Sequence, residues 1–568
     1  MPRVRGVQIA LAVLAVGYVL AQFAASVRDG INWDEFVFLS RAEVAIRTNV
    51  LQGGGRPGLG VAALMPLVDG CDSAMHVART ARVIWVVVTT ALLLGLFELT
   101  RRMTRRTLVP WHAAALATAL LALVPVFLRW SLQVRTDQPA VAAALWAGIA
   151  LLASRDRPWL GTVAGALLGL GFLFSQKAVY IGGLVGVLAL GDLYIDRTWS
   201  WRREVLRTLG FAAGVAVVFG AYKVGVRLAF SAERGYGLDG GLDLLTWYRS
   251  MLHYRIYGNL VTSILPHLAL GLLVIAAALH AIRRDTAERR SLTVALAVFL
   301  VGIAVARFHA ASFPYFWITL GVFPAIAIGI GWQGIREMLP RAAIPITAAA
   351  WLALVVLGVR YRGETLVDTQ QSQIESLAFT ESALPATAHG FQADGALFCR
   401  RDGDPLPVYL GQNIVQRFGG KDGPAHIRDF IAELRSRPVL FLVQTQRLGN
   451  FPPEIQVFWG EHYVPFRANV EVVGTKVSGA QGETKAFDVI AAGSYRWWGQ
   501  GQIEVSGTTL ASGDQVTLPV GSTPVKITSG TAAGVLAWAT AVPPSPSAHG
   551  FYDDLPLWEL TGSRDQWW

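Results

Sequence analysis

Apolar runs recur through the first 360 residues, and they limit what this chain can fold into. Eleven are present, near Val7–Ser26, Val83–Leu99, Trp111–Leu128, Ala140–Ala153, Leu160–Phe174, Ala178–Ile195, Val205–Val224, Ile264–Ile282, Leu292–Ala306, Tyr315–Trp332 and Ala342–Val359. A helix needs about 20 residues to cross a hydrocarbon core. Several runs fall short of that, which places their polar ends around an embedded cavity. Only 15% of the residues are charged, against about 25% in soluble domains. The chain therefore reads as a polytopic α-helical membrane protein. Val7–Ser26 exceeds the apolar core of a signal peptide and reads as an uncleaved first span, although the small Ala24 and Ala25 leave cleavage as the alternative.

The net charge of +10 raises the question of a nucleic-acid partner. Its placement answers no, because the arginines cluster in short segments between the runs, as topology signals do. Arg3/Arg5, Arg101/Arg102/Arg105/Arg106, Arg155/Arg157, Arg197/Arg202/Arg203, Arg283/Arg284/Arg289/Arg290 and Arg336/Arg341 all fall on one side of the bilayer. The N-terminus is thus expected in the cytoplasm, and an odd number of spans puts the C-terminus outside.

Three long regions are not spans, one of them the outer segment Gly225–Ser263. In Arg28–Arg82, Phe36, Leu39, Ile46 and Val50 recur near helical spacing, which predicts a helix lying on the membrane surface and broken at Gly53–Gly58. After Arg360 polar and apolar residues alternate. Ala396–Cys399, Val439–Val443 and Val470–Val473 read as strands, Ile427–Leu434 as a helix, and Ala486–Thr540 as short strands of a small β-sandwich. The division is therefore a membrane domain over 1–360 and a mixed α/β and β-sandwich-like extracytoplasmic domain over 361–568.

Soluble-enzyme signatures are missing. The sequence has no Walker A loop, no G-x-S-x-G elbow and no H-E-x-x-H pattern, and its two cysteines form no C-x-x-C pair. Cys71 and Cys399 both face an oxidising compartment on this topology, where a bridge between them and two unpaired thiols are the alternatives.

The residues that carry chemistry gather on the outer side. Asp34 and Glu35 sit between Trp33 and Phe36 just after the first span. Arg56, Arg129, Arg135, Lys177 and Arg307 run against the positive-inside preference, and Asp137 and His309 accompany them. Singly, each cation reads as a headgroup contact or a snorkelling side chain. Together they fit a membrane-embedded phosphate, which needs charge-assisted donors.

This arrangement resembles the GT-C superfamily of polyprenyl-phosphate-sugar-dependent glycosyltransferases, above all the protein O-mannosyltransferases and the lipid A aminoarabinose transferases. In those families an Asp in the first outer loop, often within an Asp-Glu pair, acts as base, and Asp34-Glu35 matches it. Arg56-Pro57 resembles their basic-Pro motif, with Gly58 where a second Pro is usual. Arg135-Thr136-Asp137-Gln138-Pro139 is similar to a basic-acidic motif opening a later span. The stretch ending at Lys177 is similar to their lysine-bearing segment. The likeness covers roughly 1–360.

The resemblance implies transfer of a sugar from a polyprenyl-phosphate donor to a hydroxyl on a glycan, lipid or protein, at the outer face of an inner membrane. Asp34 would be the base and Glu35 would orient the acceptor or Asp34. Lys177, Arg307, Arg56 and Arg135 would hold the donor phosphate, and Asp137, His309 and Trp33 the acceptor or sugar. The scheme requires no cofactor, although an Asp-Glu pair can recruit a divalent metal. Rival readings are a transporter or flippase of lipid-linked intermediates, which would show midplane charges or paired broken helices, and a non-catalytic scaffold for envelope assembly.

Overall fold

The computed structural model describes residues 2–52, 58–105, 110–196, 200–234, 258–281, 287–308, 314–365, 370–385, 388–393, 395–400, 417–419, 422–445, 448–538, 542–547 and 551. The chain divides into two compact units. One comprises Met1–Arg28, Val44–Pro66 and Arg79–Val367. The other comprises Asp29–Glu43, Leu67–Ala78 and Asp368–Trp568.

In the first unit the apolar runs fold as helices. Those carrying most of the core are Ala74–Met103, Pro110–Ala122, Asp137–Ala153, Ala178–Asp196, Gly258–Ala281, Ala287–Phe308 and Val322–Met338. Among the described residues six helices are long and apolar enough to cross a membrane, and other runs form shorter apolar helices. Length alone thus supports six of the eleven expected crossings. Pro125 interrupts the third run, since it has no N–H to continue the ladder, and a separate helix Pro125–Trp130 begins there.

Burial sorts these helices. The segment Trp317–Met338 is 83% buried, and its Phe323, Ile326 and Ile330 pack into a core with Leu96, Leu120 and Val298. The window of Trp201–Ala229 is only 11% buried, and its exposed Leu209, Val217 and Leu228 suit a lipid-facing helix. That helix is attached through glycines. Gly161, Gly165 and Gly169 recur every fourth residue on Leu160–Phe174. A Cβ at Gly165 would collide with the Phe211 carbonyl, and one at Gly214 with that of Thr162. In lipid, where tails compete equally for apolar faces, such close backbone approach is what holds two helices together.

The helix expected in the first loop forms over Trp33–Thr48. Phe36 and Leu39 are fully buried in the protein, however, and do not lie against a membrane surface. Asn49 ends the helix in the left-handed region at φ 53°, a conformation Asn tolerates. The chain then enters β1, Val50–Gln52, which pairs in parallel with β2, Ala232–Arg234.

The second unit is a sheet with flanking helices. Its strands are β3 Gly390–Phe391, β4 Phe441–Val443, β5 Tyr463–Ala468, β6 Val470–Ala480, β7 Thr484–Val489, β8 Gly493–Val505, β9 Thr508–Leu510, β10 Gln515–Leu518, β11 Gly521–Trp538 and β12 Ser545–Pro546. They join in one hydrogen-bonded network with the path β10-β8-β11-β6-β4-β3. The early part of β11 pairs with β7 and its later part with β6, while register shifts between Ile527 and Ala533 re-aim the strand. Tyr495, Trp497, Ile503 and Val505 point from β8 into the core at the two-residue period of a strand.

The helix expected around Ile427–Leu434 forms as Gly423–Ser436. Ala396–Cys399 is a turn and not a strand. Gly395 at φ 78° reverses the chain there, and the Gln392 side chain accepts the Ala396 N–H. Cys399 is bridged to Cys71, with Cα atoms 5.4 Å apart. Of the two alternatives left by the sequence, the structure takes the disulfide.

Candidate active site

The larger polar cluster of the first unit grows from the stretch Pro125–Gln138. Five of its carbonyls are captured by side chains. The Arg362 guanidinium donates to Leu128 O (2.8 Å), Thr89 to Ser131 O (2.9 Å) and the Trp85 indole to Arg135 O (2.6 Å). The Gln138 amide donates to both Trp130 O (3.0 Å) and Gln133 O (2.9 Å). An irregular stretch among apolar helices needs such partners, because an unpaired buried carbonyl carries its full desolvation penalty. With so many backbone groups tied down, the loop is a rigid shelf.

Arg135 and Asp137 stand on that shelf, both buried. Lys177 comes from elsewhere. The helix Leu160–Phe174 ends at Ser175, whose backbone is extended, and the next helix begins at Ala178. This break aims Lys177 Nζ at Asp137 Oδ2, 2.8 Å away, while Ser175 donates to Asp137 Oδ1 at 3.0 Å. The turn Pro314–Phe316 supplies an aromatic wall. The Tyr315 ring lies 4.0 Å from the Arg135 guanidinium and 4.6 Å from Lys177 Nζ, and the neighbouring Trp130 ring lies 4.8 Å from Arg135. Two cations and one buried carboxylate are thus concentrated against aromatic rings, where little water screens their charge.

Asp34 and Glu35 belong to the second unit, in the first turn of Trp33–Thr48. Asn32 Oδ1 accepts the Asp34 N–H (3.0 Å), and Glu35 Oε1 accepts the Asn32 N–H (2.8 Å). This is a reciprocal capping box. Glu35 is completely buried and Asp34 half-buried, in a turn at the positive end of the helix. The chain before it is held by the tail. Gln373 pairs with both the N–H (2.8 Å) and the C=O (2.9 Å) of Ile31, and Gln370 donates to Asp29 O (2.6 Å). Nearby, Glu381 accepts the Ala74 N–H at 2.7 Å, and burial raises its carboxyl above the ordinary range.

The structure therefore brings together Arg135, Asp137 and Lys177 in one unit, and Asp34 and Glu35 in the other. Trp33 opens the Asp34 helix and Arg307 lies in Ala287–Phe308, their side chains outside the described residues. Arg56 and His309 lie outside the described residues altogether. Among the described residues, no group of three His, Cys, Asp or Glu side chains is arranged to hold a metal.

The sequence alone does not single out Tyr315, Arg362, Gln370 or Gln373. The capping box was legible in Asn32-x-x-Glu35, whereas nothing local marks a glutamine that will meet a backbone 342 residues away.

Residues 71–222, which include Arg135, Asp137 and Lys177, match the sequence profile of the dolichyl-phosphate-mannose-protein mannosyltransferase family. Among solved structures, ArnT from Cupriavidus metallidurans bound to undecaprenyl phosphate superposes with a TM-score of 0.50 at 14% identity, over 82% of this chain and 98% of that one. Apo ArnT from the same organism gives 0.49 at 15% identity, over 83% and 98%. No curated protein matches the sequence. The chain thus shares the fold of ArnT, and its residues 71–222 resemble the mannosyltransferase family.

Proposed function

We propose that this chain is an integral membrane glycosyltransferase that moves a sugar from a polyprenyl-phosphate donor to a hydroxyl acceptor. One observation carries the reading most. The buried Asp137–Lys177 pair with Arg135 under Tyr315 lies inside the segment matched by a family of lipid-phosphate-sugar-dependent mannosyltransferases. The ArnT-like fold supports it, and undecaprenyl phosphate in that relative points to a polyprenyl donor.

The reaction needs two things from the protein. The acceptor oxygen attacks the anomeric carbon while the bond from that carbon to the phosphate oxygen breaks and polyprenyl phosphate departs. A hydroxyl is a weak nucleophile, so a carboxylate within reach takes its proton as attack develops, an effect typically worth about 10²–10⁴-fold. Asp34 is the base in this reading. Glu35 contributes by holding the turn that presents it, since its carboxylate caps Asn32. Charge grows on the leaving phosphate, and cations fixed in a low-dielectric recess stabilise it without reorganising. Lys177 and Arg135 meet that need, with Arg307 and Arg56 as further phosphate ligands. Asp137, His309 and Trp33 are read as acceptor or sugar contacts. No step requires a metal.

The eleven apolar runs are read as eleven crossings of an inner membrane, with a cytoplasmic N-terminus and an extracytoplasmic tail. The Cys71–Cys399 bridge supports that side for the tail, because disulfides persist in oxidising compartments. The deciding experiment is transfer by the purified protein in lipid. Asp34→Asn keeps size and loses the proton-accepting charge, so turnover should fall by about 10² or more with the protein still folded. Near-normal transfer by that variant would remove Asp34 from the mechanism.

A further inference from the structure

The tail grips the segment that presents Asp34. Ile31 is fully buried, and its backbone N–H and C=O are both taken by the side chain of Gln373, at 2.8 and 2.9 Å. Two residues before it, the Asp29 carbonyl accepts from Gln370 at 2.6 Å. Both glutamines are buried and sit at the start of the tail helix Gln371–Ser382. A carboxamide offers an acceptor and a donor in one fixed plane, which lets a single side chain pair with a backbone as a neighbouring strand would. A carboxylate offers acceptors only, and an alkyl chain offers neither.

The path from this clamp to Asp34 contains no soft joint. Ile31 is followed by Asn32, which is locked to Asp34 and Glu35 by the capping box. The same tail helix is anchored again at Glu381, which caps the Ala74 N–H, close to the Cys71–Cys399 bridge. A displacement at Gln373 is therefore passed on to the turn bearing Asp34.

We infer that Gln373, assisted by Gln370, is a positioning residue for Asp34, so that the base works at full rate only when the tail helix holds it. This rests on Asp34 acting as the base. Misplacement of a reacting group by about 1 Å is enough to cost about 10²-fold in rate.

The test measures transfer by the full chain in lipid vesicles, with an undecaprenyl-phosphate-linked sugar as donor, for Gln373→Met and Gln370→Leu, each alone and combined with Asp34→Asn. Formation of the Cys71–Cys399 bridge reports that the unit has folded. Gln370→Leu removes the bond to the Asp29 carbonyl and serves if Gln373→Met does not fold. With Asp34 present, Gln373→Met should lower kcat by about 10- to 100-fold and change the donor KM less than about twofold. Combined with Asp34→Asn, the same substitution should change the residual rate less than about twofold, since there is no base left to position. Equal losses in both backgrounds, or unchanged kcat in the folded single variant, would overturn the inference while leaving the base intact. Full turnover by Asp34→Asn alone would overturn both.

Discussion

Replacing Lys177 by Met leaves the Asp137 carboxylate buried without the ammonium that faces it at 2.8 Å. Asp137 is completely buried and the Lys177 side chain is only 13% exposed, so water offers little replacement. Removing one partner of a buried ion pair costs about 3–5 kcal/mol, because the other charge is left uncompensated. Ser175 still donates to Asp137 at 3.0 Å, which argues for the lower end, about 3 kcal/mol. The double variant Lys177→Met with Asp137→Asn removes both charges, and it should recover most of that loss. Its transfer activity should stay low, because the phosphate has lost a charge-assisted donor. Thermal unfolding in nanodiscs measures the stabilities, and transfer with a saturating acceptor measures the activities. The reasoning fails if Lys177→Met melts with the wild type, or if the double variant is no more stable than the single one.

Alkaline phosphatase fused after Arg360 should be active and a fusion at Arg290 inactive; the opposite pattern would reverse the assigned orientation. Peptide mapping without reduction should recover Cys71 joined to Cys399, whereas alkylation of both thiols before reduction would contradict the bridge. Burial raises the Glu381 carboxyl above its ordinary value of 4.5, so its contribution to stability is fully present below that pH and is lost as pH rises through the raised value. Glu381→Gln keeps an acceptor for the Ala74 N–H, and it should therefore match the wild type near pH 4 and exceed it in stability at pH 8. A difference between the two that does not grow with pH would refute that assignment.

Much of the membrane unit was readable because hydropathy is local and additive. A run such as Ala178–Ile195 has few ways to satisfy its backbone away from water, so it becomes a helix whatever its neighbours do. The same logic located the Asp34 helix through its spacing. Its expected surface placement gives way to burial, since periodicity reports an apolar face and not what covers it, and Phe36 and Leu39 are covered by protein. Ala396–Cys399 has strand-like composition, yet Gly395 and the bridge at Cys399 turn it.

What the sequence by itself determined was the inventory: the apolar helices, the charges between them, and Asp34, Arg135, Asp137 and Lys177 as residues out of place unless they do something. Tertiary structure alone decided the partnerships. Lys177 meets Asp137 because a helix breaks at Ser175, Tyr315 faces both cations because a turn precedes its helix, and Gln373 reaches Ile31 across 342 positions of chain. The physical reason is range. Helix formation is governed by neighbours within a few residues, whereas a hydrogen bond between distant side chains forms only once the chain between them has been closed by everything else that packs.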